Sequence, residues 1–160
     1  MWTKFLVAVF AAMALLLCAS CDEVNTNFGT LDDLDIRLVD AALGANLMPF
    51  VPPDPVYCNL TLVVRNTNHL GAITGLTFTG GEIRLSATGA RIGSMSFVST
   101  WDGRLDPLEE DTVRIRKFSS TGALFPIPCS QLVNISLTMR SAAGFTRTVE
   151  LDSLFFGCVY

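Results

Sequence analysis

The stretch Tyr57-Cys-Asn-Leu-Thr-Leu-Val-Val-Arg-Asn66 decides the fold class. Cys58, Leu60, Leu62 and Val64 fall on one parity, and Asn59, Thr61, Val63 and Arg65 on the other. That is the period of a strand with one face in a core. The alternation returns downstream. Ser94 to Thr100 carries Met95 and Phe97 inward, Thr112 to Phe118 sets Val113 and Ile115 against Arg114 and Arg116, and Leu132 to Arg140 sets Val133, Ile135, Leu137 and Met139 on one face. Ser141-Ala-Ala-Gly144 predicts a turn into a further strand, with Phe145, Arg147, Val149 and Leu151 on one face. Gly80-Gly81, between Leu76 to Thr79 and Glu82 to Ala87, predicts a tight hairpin. Leu31 to Leu47 is ambiguous: Thr30 and Asp33 have capping-box spacing, and Leu31, Leu34, Leu38, Ala41 and Ala42 have helical spacing. Leu34, Ile36 and Leu38 fit a strand equally well. A strand over Leu34 to Ala41 is preferred, because a helix would put Ile36 on its polar side. Short strands with turn signals between them predict an all-β domain, an immunoglobulin-like antiparallel β-sandwich of about seven strands.

The start of the chain has another character. Met1-Trp-Thr-Lys4 is followed by an apolar run from Phe5 to Leu17 and by Cys18-Ala-Ser-Cys21. A short positive start, a greasy centre and small residues before a cleavage point make a secretory signal. The run is short for a spanning helix, which takes roughly 18 or more apolar residues. Ala19-Ser20-Cys21 resembles the lipobox of bacterial lipoproteins, in which that cysteine is lipidated and becomes the new N-terminus. Cys18 stands where the pattern usually has Leu. The resemblance implies a protein of the bacterial cell envelope, periplasmic or surface-facing, with the membrane as its partner through the lipid on Cys21. The other reading is a secreted protein cut near Ser20. The expected division is 1–20 signal peptide, 21–32 lipidated cysteine and tether, and 33–160 β-sandwich domain. Removing residues 1–20 leaves 140 of the 160 residues, enough for one domain with a core. The chain carries 11 basic and 15 acidic residues, a net charge of −4, and loss of Lys4 makes it −5. That modest acidity argues against nucleic acid as a partner.

Leu60-Thr-Leu-Val-Val-Arg-Asn-Thr-Asn68, Ile73-Thr-Gly-Leu-Thr-Phe78 and Ile83-Arg-Leu-Ser-Ala-Thr-Gly-Ala-Arg-Ile-Gly93 together resemble the LEA type 2 (water-stress) domain. That family shows a strand, an Asn-Pro-Asn turn, a second strand, and a third strand running into a Gly-containing segment. Thr67 replaces the proline here. The resemblance implies an immunoglobulin- or fibronectin-like sandwich and little about activity.

Cysteines lie at positions 18, 21, 58, 129 and 158. The last three belong to the domain, so at most one internal disulfide forms, which an exported protein can keep. In immunoglobulin strand order Cys58 opens the second strand, Cys129 precedes the sixth and Cys158 closes the last. All three then gather at one end. Cys58–Cys129 is the preferred pair, because it closes a long loop and joins two sheets; Cys129–Cys158 is the competitor. Two proline-rich apolar loops fall at the same end, Met48-Pro-Phe-Val-Pro-Pro-Asp-Pro-Val56 and Leu124-Phe-Pro-Ile-Pro128. The tether enters at the opposite end. Phe50, Val51, Leu124, Phe125 and Ile127 are therefore candidates for a patch that binds an envelope protein partner. The plainer account is that they cap the open end of the core.

Motifs for chemistry are sparse. His69 is the only histidine and has no Ser or Cys motif around it, so a His-based triad is not expected. Zinc needs several His or Cys ligands. The acidic runs at Asp32, Asp33 and Asp35 and at Glu109, Glu110 and Asp111 lack the Asp-x-Asp-x-Asp-Gly spacing of a calcium loop. They read as solvated loops. Arg114, Arg116 and Lys117 could meet an anionic glycan or phosphate, or form the solvent face of a strand. Trp101-Asp-Gly103 is the best lone candidate for a sugar contact, and equally a turn. The sequence thus predicts no catalytic residue, no metal and no cofactor. It predicts a non-enzymatic binding or structural protein of the envelope, with an LEA-like stress protectant as the alternative and an envelope enzyme third.

Overall fold

In the computed structural model, which describes residues 29–48, 55–118 and 126–160, sequence alternation becomes alternation of burial. The strands are β1 (Leu34–Asn46), β2 (Val56–Asn66), β3 (Thr77–Leu85), β4 (Arg91–Ser99), β5 (Glu110–Lys117), β6 (Gln131–Arg140) and β7 (Thr146–Val159). Leu60, Leu62 and Val64 of β2, Met95 and Phe97 of β4, Val113 and Ile115 of β5, and Val133, Ile135, Leu137 and Met139 of β6 are all buried. Each such side chain contributes roughly 1.5–3 kcal/mol by leaving water.

The ambiguity at Leu31–Leu47 resolves into both signals in series. Leu31–Asp33 is a 3-10 turn, and β1 follows at Leu34. The Thr30 backbone N–H and hydroxyl both donate to Asp33 Oδ2, at 2.7 and 2.9 Å. β1 then runs past Ala41 to Asn46, because a bulge between Leu38 and Asp40 resets its parity. Before the bulge Leu34, Ile36 and Leu38 pack on the core; after it Leu43 and Ala45 do, and Val39 is left outside. β7 does the same. Its pairing with β6 skips Asp152 and Ser153, Ser153 takes φ 58°, and burial passes from Leu151 to Leu154 and Phe156.

Gly80-Gly81 does not make a hairpin. It lies inside β3, which continues from Thr77 to Leu85. A β-carbon at Gly81 would stand 3.0 Å from the Phe97 ring and 3.1 Å from Ile135 Cγ2; one at Gly80 would stand 2.9 Å from Met95 O. The glycines let neighbouring strands and the core approach closely. The turn comes later, bracketed by Leu85 N–H donating to Ala90 O at 2.9 Å.

The strands also do not form two open sheets. Their order around the wall is β1-β2-β5-β4-β3-β6-β7, with β7 returning to β1. The fold is a closed barrel, and the expectation of an immunoglobulin-like sandwich is overturned. Two short ladders do the closing. β4 meets β5 over Phe97–Ser99 and Ile115–Lys117. β1 meets β7 over Gly44–Asn46 and Gly157–Val159, a parallel contact in an otherwise antiparallel ring among the described residues. Short alternating strands suit either architecture. What separates the two is whether edge strands find each other, and closure gives their main-chain groups partners.

The disulfide joins Cys129 to Cys158, the competitor among the two pairings and not the preferred Cys58–Cys129. Cys58 is free and buried. The ring order explains this. Cys129 directly precedes β6, and Ser130 N–H donates to Phe156 O of adjacent β7 at 2.8 Å. Cys58 belongs to β2, on the far side of β1 from β7, and shares the inward parity of Leu60 and Leu62.

Candidate functional site

The two ends of the barrel differ in chemistry. β1 starts where the described chain begins and ends beside the cysteines: Leu43 pairs in register with Cys58, and Ala45 with Cys158. At this cysteine end the outer wall is apolar. Leu132 and Phe155 face each other across β6 and β7 and are 48% and 62% exposed. Beside them Gly44 pairs with Gly157. A β-carbon at Gly44 would stand 2.3 Å from Gly157 O and 2.6 Å from the Tyr57 hydroxyl. Tyr57 therefore lies over a glycine step, and its ring and Val159 are also exposed. Of the sequence-predicted patch, Ile127 packs half-buried against the core, as a cap would. Phe50, Val51, Leu124 and Phe125 lie outside the described residues, as does Cys21.

The opposite end is a polar knot that the sequence reading missed. Asn66 is fully buried. Its Nδ2 donates to Gly71 O at 2.8 Å and to Asp106 O at 3.1 Å, and its Oδ1 accepts from Asn68 N–H at 2.9 Å. Asn68 Oδ1 accepts from Leu70 and Gly71 N–H, and its Nδ2 donates to Asp33 Oδ2 at 3.2 Å. Asn66-Thr67-Asn68 thus ties the start of β1 to the β2–β3 and β4–β5 connections. The Thr30 N–H above all, then Asn68 and the Thr30 hydroxyl, hold the Asp33 carboxyl below the usual carboxylate range. Nearby, Arg147 Nη1 donates to Leu31 O at 2.6 Å and to Leu34 O at 2.7 Å. This side chain spans from β7 to the start of β1, where the two strands share no ladder. Both residues carried a signal: Asn66 and Arg147 fall on the inward parity of their strands.

Each closing seam ends in a groove. At the foot of β1 and β7 lies one of about 690 Å³, lined chiefly by Leu31, Ile73, Ala142, Ala143 and Phe145. At the β4–β5 seam lies one of about 460 Å³, rimmed by Asn59, Thr61, Ser99, Thr100, Arg114 and Arg116. Both linings are mostly apolar, the second through Leu60, Val98 and Ile115, but the second also carries two guanidinium side chains.

Other candidates are absorbed into structure. His69 is exposed on the β2–β3 connection. Trp101 packs on Phe78 with ring centroids 6.4 Å apart, and Gly103 O accepts from Leu76 N–H at 2.9 Å. Trp101-Asp-Gly103 is thus a packed connection rather than an open sugar platform. Glu110 pairs with Arg37 at 3.0 Å, and Glu109 Oε2 accepts from Asp106 N–H at 2.6 Å. Among the described residues no three of His, Cys, Asp and Glu converge as metal ligands. Burial pushes the Cys58 thiol up to about 12, against a weaker pull from Lys117. It is a neutral, inert thiol.

These features define a closed all-β barrel stapled at one end by a disulfide. They do not define a family: no protein-family model matches the chain, and no curated protein sequence matches it. Among solved structures the chain is similar to "X-ray structure of Northeast Structural Genomics Consortium target SoR45", at 12% identity and a TM-score of 0.35, over 78% of this chain and 83% of that one. A likeness at that level carries no argument about activity.

Proposed function

We propose that the chain is a bacterial envelope lipoprotein, lipidated at Cys21, whose barrel has a non-catalytic binding or structural role. The signal-like start and the Cys129–Cys158 disulfide support it together, since disulfides persist in exported proteins. Two or three acyl chains hold a protein stably where one does not, each buried methylene adding about 0.8 kcal/mol. The observation that carries the binding role is the division of the barrel's ends. The chain enters beside the polar knot, and the apolar wall of Tyr57, Leu132 and Phe155 lies at the cysteine end. In this reading the apolar wall meets an envelope protein, and Phe50, Val51, Leu124, Phe125 and Ile127 are the further candidates for that contact.

Two measurements test the reading. Mass spectrometry of the N-terminus in the native host should find acyl mass on Cys21; a bare cysteine there contradicts the anchor. Crosslinking in the envelope should capture a discrete protein with the parent chain and lose it with Leu132→Ser plus Phe155→Ser. Capture that survives this change, and also Phe50→Ala plus Phe125→Ala, contradicts the apolar patch.

A further inference from the structure

We propose that the groove at the β4–β5 seam binds a phosphate group, with Arg114 and Arg116 as its charged ligands. The inference does not depend on lipidation and assigns a site apart from the apolar wall.

The seam makes the groove. The ladder between β4 and β5 stops at Ser99 and Ile115, while β5 continues to Glu110 against β2. β4 peels away there, and a space of about 460 Å³ opens beside β5. Arg114 and Arg116 are two residues apart on the outward face of β5, so their Cα atoms stand about 6.6 Å apart. That spacing lets two long guanidinium side chains converge on one tetrahedral anion, each offering a planar fork of donors. In register, Arg114 is flanked by Thr61, and Arg116 by Asn59 and Val98. Thr61, Asn59, Ser99 and Thr100 line the same groove and supply neutral donors.

The charges are also uncommitted. Arg37, Arg84, Arg91 and Arg104 each pair with a carboxylate. Arg147 is spent on two main-chain carbonyls. Among the described residues Arg114 and Arg116 have no carboxylate within ion-pair distance and no side-chain hydrogen bond. On their row of the wall the next acidic residue is Asp40 of β1, with Thr61 of β2 between it and Arg114. Two unpaired cations at one opening, with hydroxyl and amide side chains beside them and in a chain of net charge −4, mark a local site for an anion rather than a general basic surface.

The test is calorimetric titration of the purified chain in phosphate-free buffer. One arm uses inorganic phosphate, a second glycerol phosphate, and a third compares phosphatidylglycerol with phosphatidylcholine vesicles. The comparison of the two lipids cancels any pull from an N-terminal lipid. Binding is expected in at least one arm, about tenfold weaker in Arg114→Gln and in Arg116→Gln, and lost in the double variant at unchanged Tm. Binding in the first two arms identifies a free phosphate as ligand; binding only to phosphatidylglycerol identifies a displayed headgroup. No binding in any arm overturns the proposal. So does binding that persists in the double variant, or that acetate matches at equal ionic strength.

Discussion

The barrel closes along two seams built from ladders of equal length, and they are secured differently. The β1–β7 seam has its ladder at the cysteine end, beside Cys129–Cys158, and the Arg147 clamp at the other end. Each ladder gains one further main-chain bond, Leu47 N–H to Val159 O at 2.7 Å and Phe118 N–H to Ser96 O at 2.8 Å, but the β4–β5 ladder opens on its other side into the arginine groove. The comparison separates two jobs. A parallel contact between the first and last strands joins residues far apart in sequence; a charged hydrogen-bonding side chain ties β7 to the start of β1, and the disulfide braces the β7 side of the seam against the segment before β6. The seam within the chain's middle needs no such lock and leaves a groove with free charge.

Cys129→Ser with Cys158→Ser should have the largest effect, a loss of about 3–4 kcal/mol in urea denaturation, since the bond closes a loop of 29 residues. Arg147→Ala removes both clamping bonds and strands two carbonyls, and should lose about 2–3 kcal/mol, with Arg147→Lys recovering part of it. Asp33 gives a smaller, pH-dependent effect. Its carboxyl lies lower in the fold than in the unfolded chain, so its contribution is present above the ordinary carboxylate pKa. It is lost as pH falls through the lower folded value. Acid titration of stability should therefore be shallower in Asp33→Asn. Arg114→Gln with Arg116→Gln should leave stability within about 0.5 kcal/mol, because both side chains are exposed and unbonded. Cys58 should resist alkylation in the folded chain near neutral pH and react once urea opens the barrel.

Much of the wall was legible in the sequence, because parity alone dictates it. β2, β4, β5 and β6 bury the residues that alternation assigns to them, and β1 begins at Leu34 as expected. Parity fails where it is reset. The bulges at Leu38/Asp40 and at Asp152-Ser153 extend β1 and β7 and turn Phe155 outward, which no local pattern announces. Gly80-Gly81 has the composition of a turn but serves close packing under Phe97. Closure was hidden for another reason: Gly44–Asn46 and Gly157–Val159 lie at opposite ends of the domain, and nothing local in either pairs them. The disulfide followed instead from the β6–β7 pairing, which brings Cys129 beside Cys158 and leaves Cys58 on β2, beyond β1. At the candidate sites, Arg114 and Arg116 were visible as an exposed pair, while the groove that makes them a site depends on where β4 leaves β5.

Amide hydrogen exchange of the oxidised, folded chain tests the inequality of the two seams most directly. The account predicts slow exchange across Gly44–Asn46 and Gly157–Val159, close to the rate set by global unfolding, and faster exchange across Phe97–Ser99 and Ile115–Lys117. Equal protection at both seams, or a β1–β7 ladder that exchanges first, would contradict it.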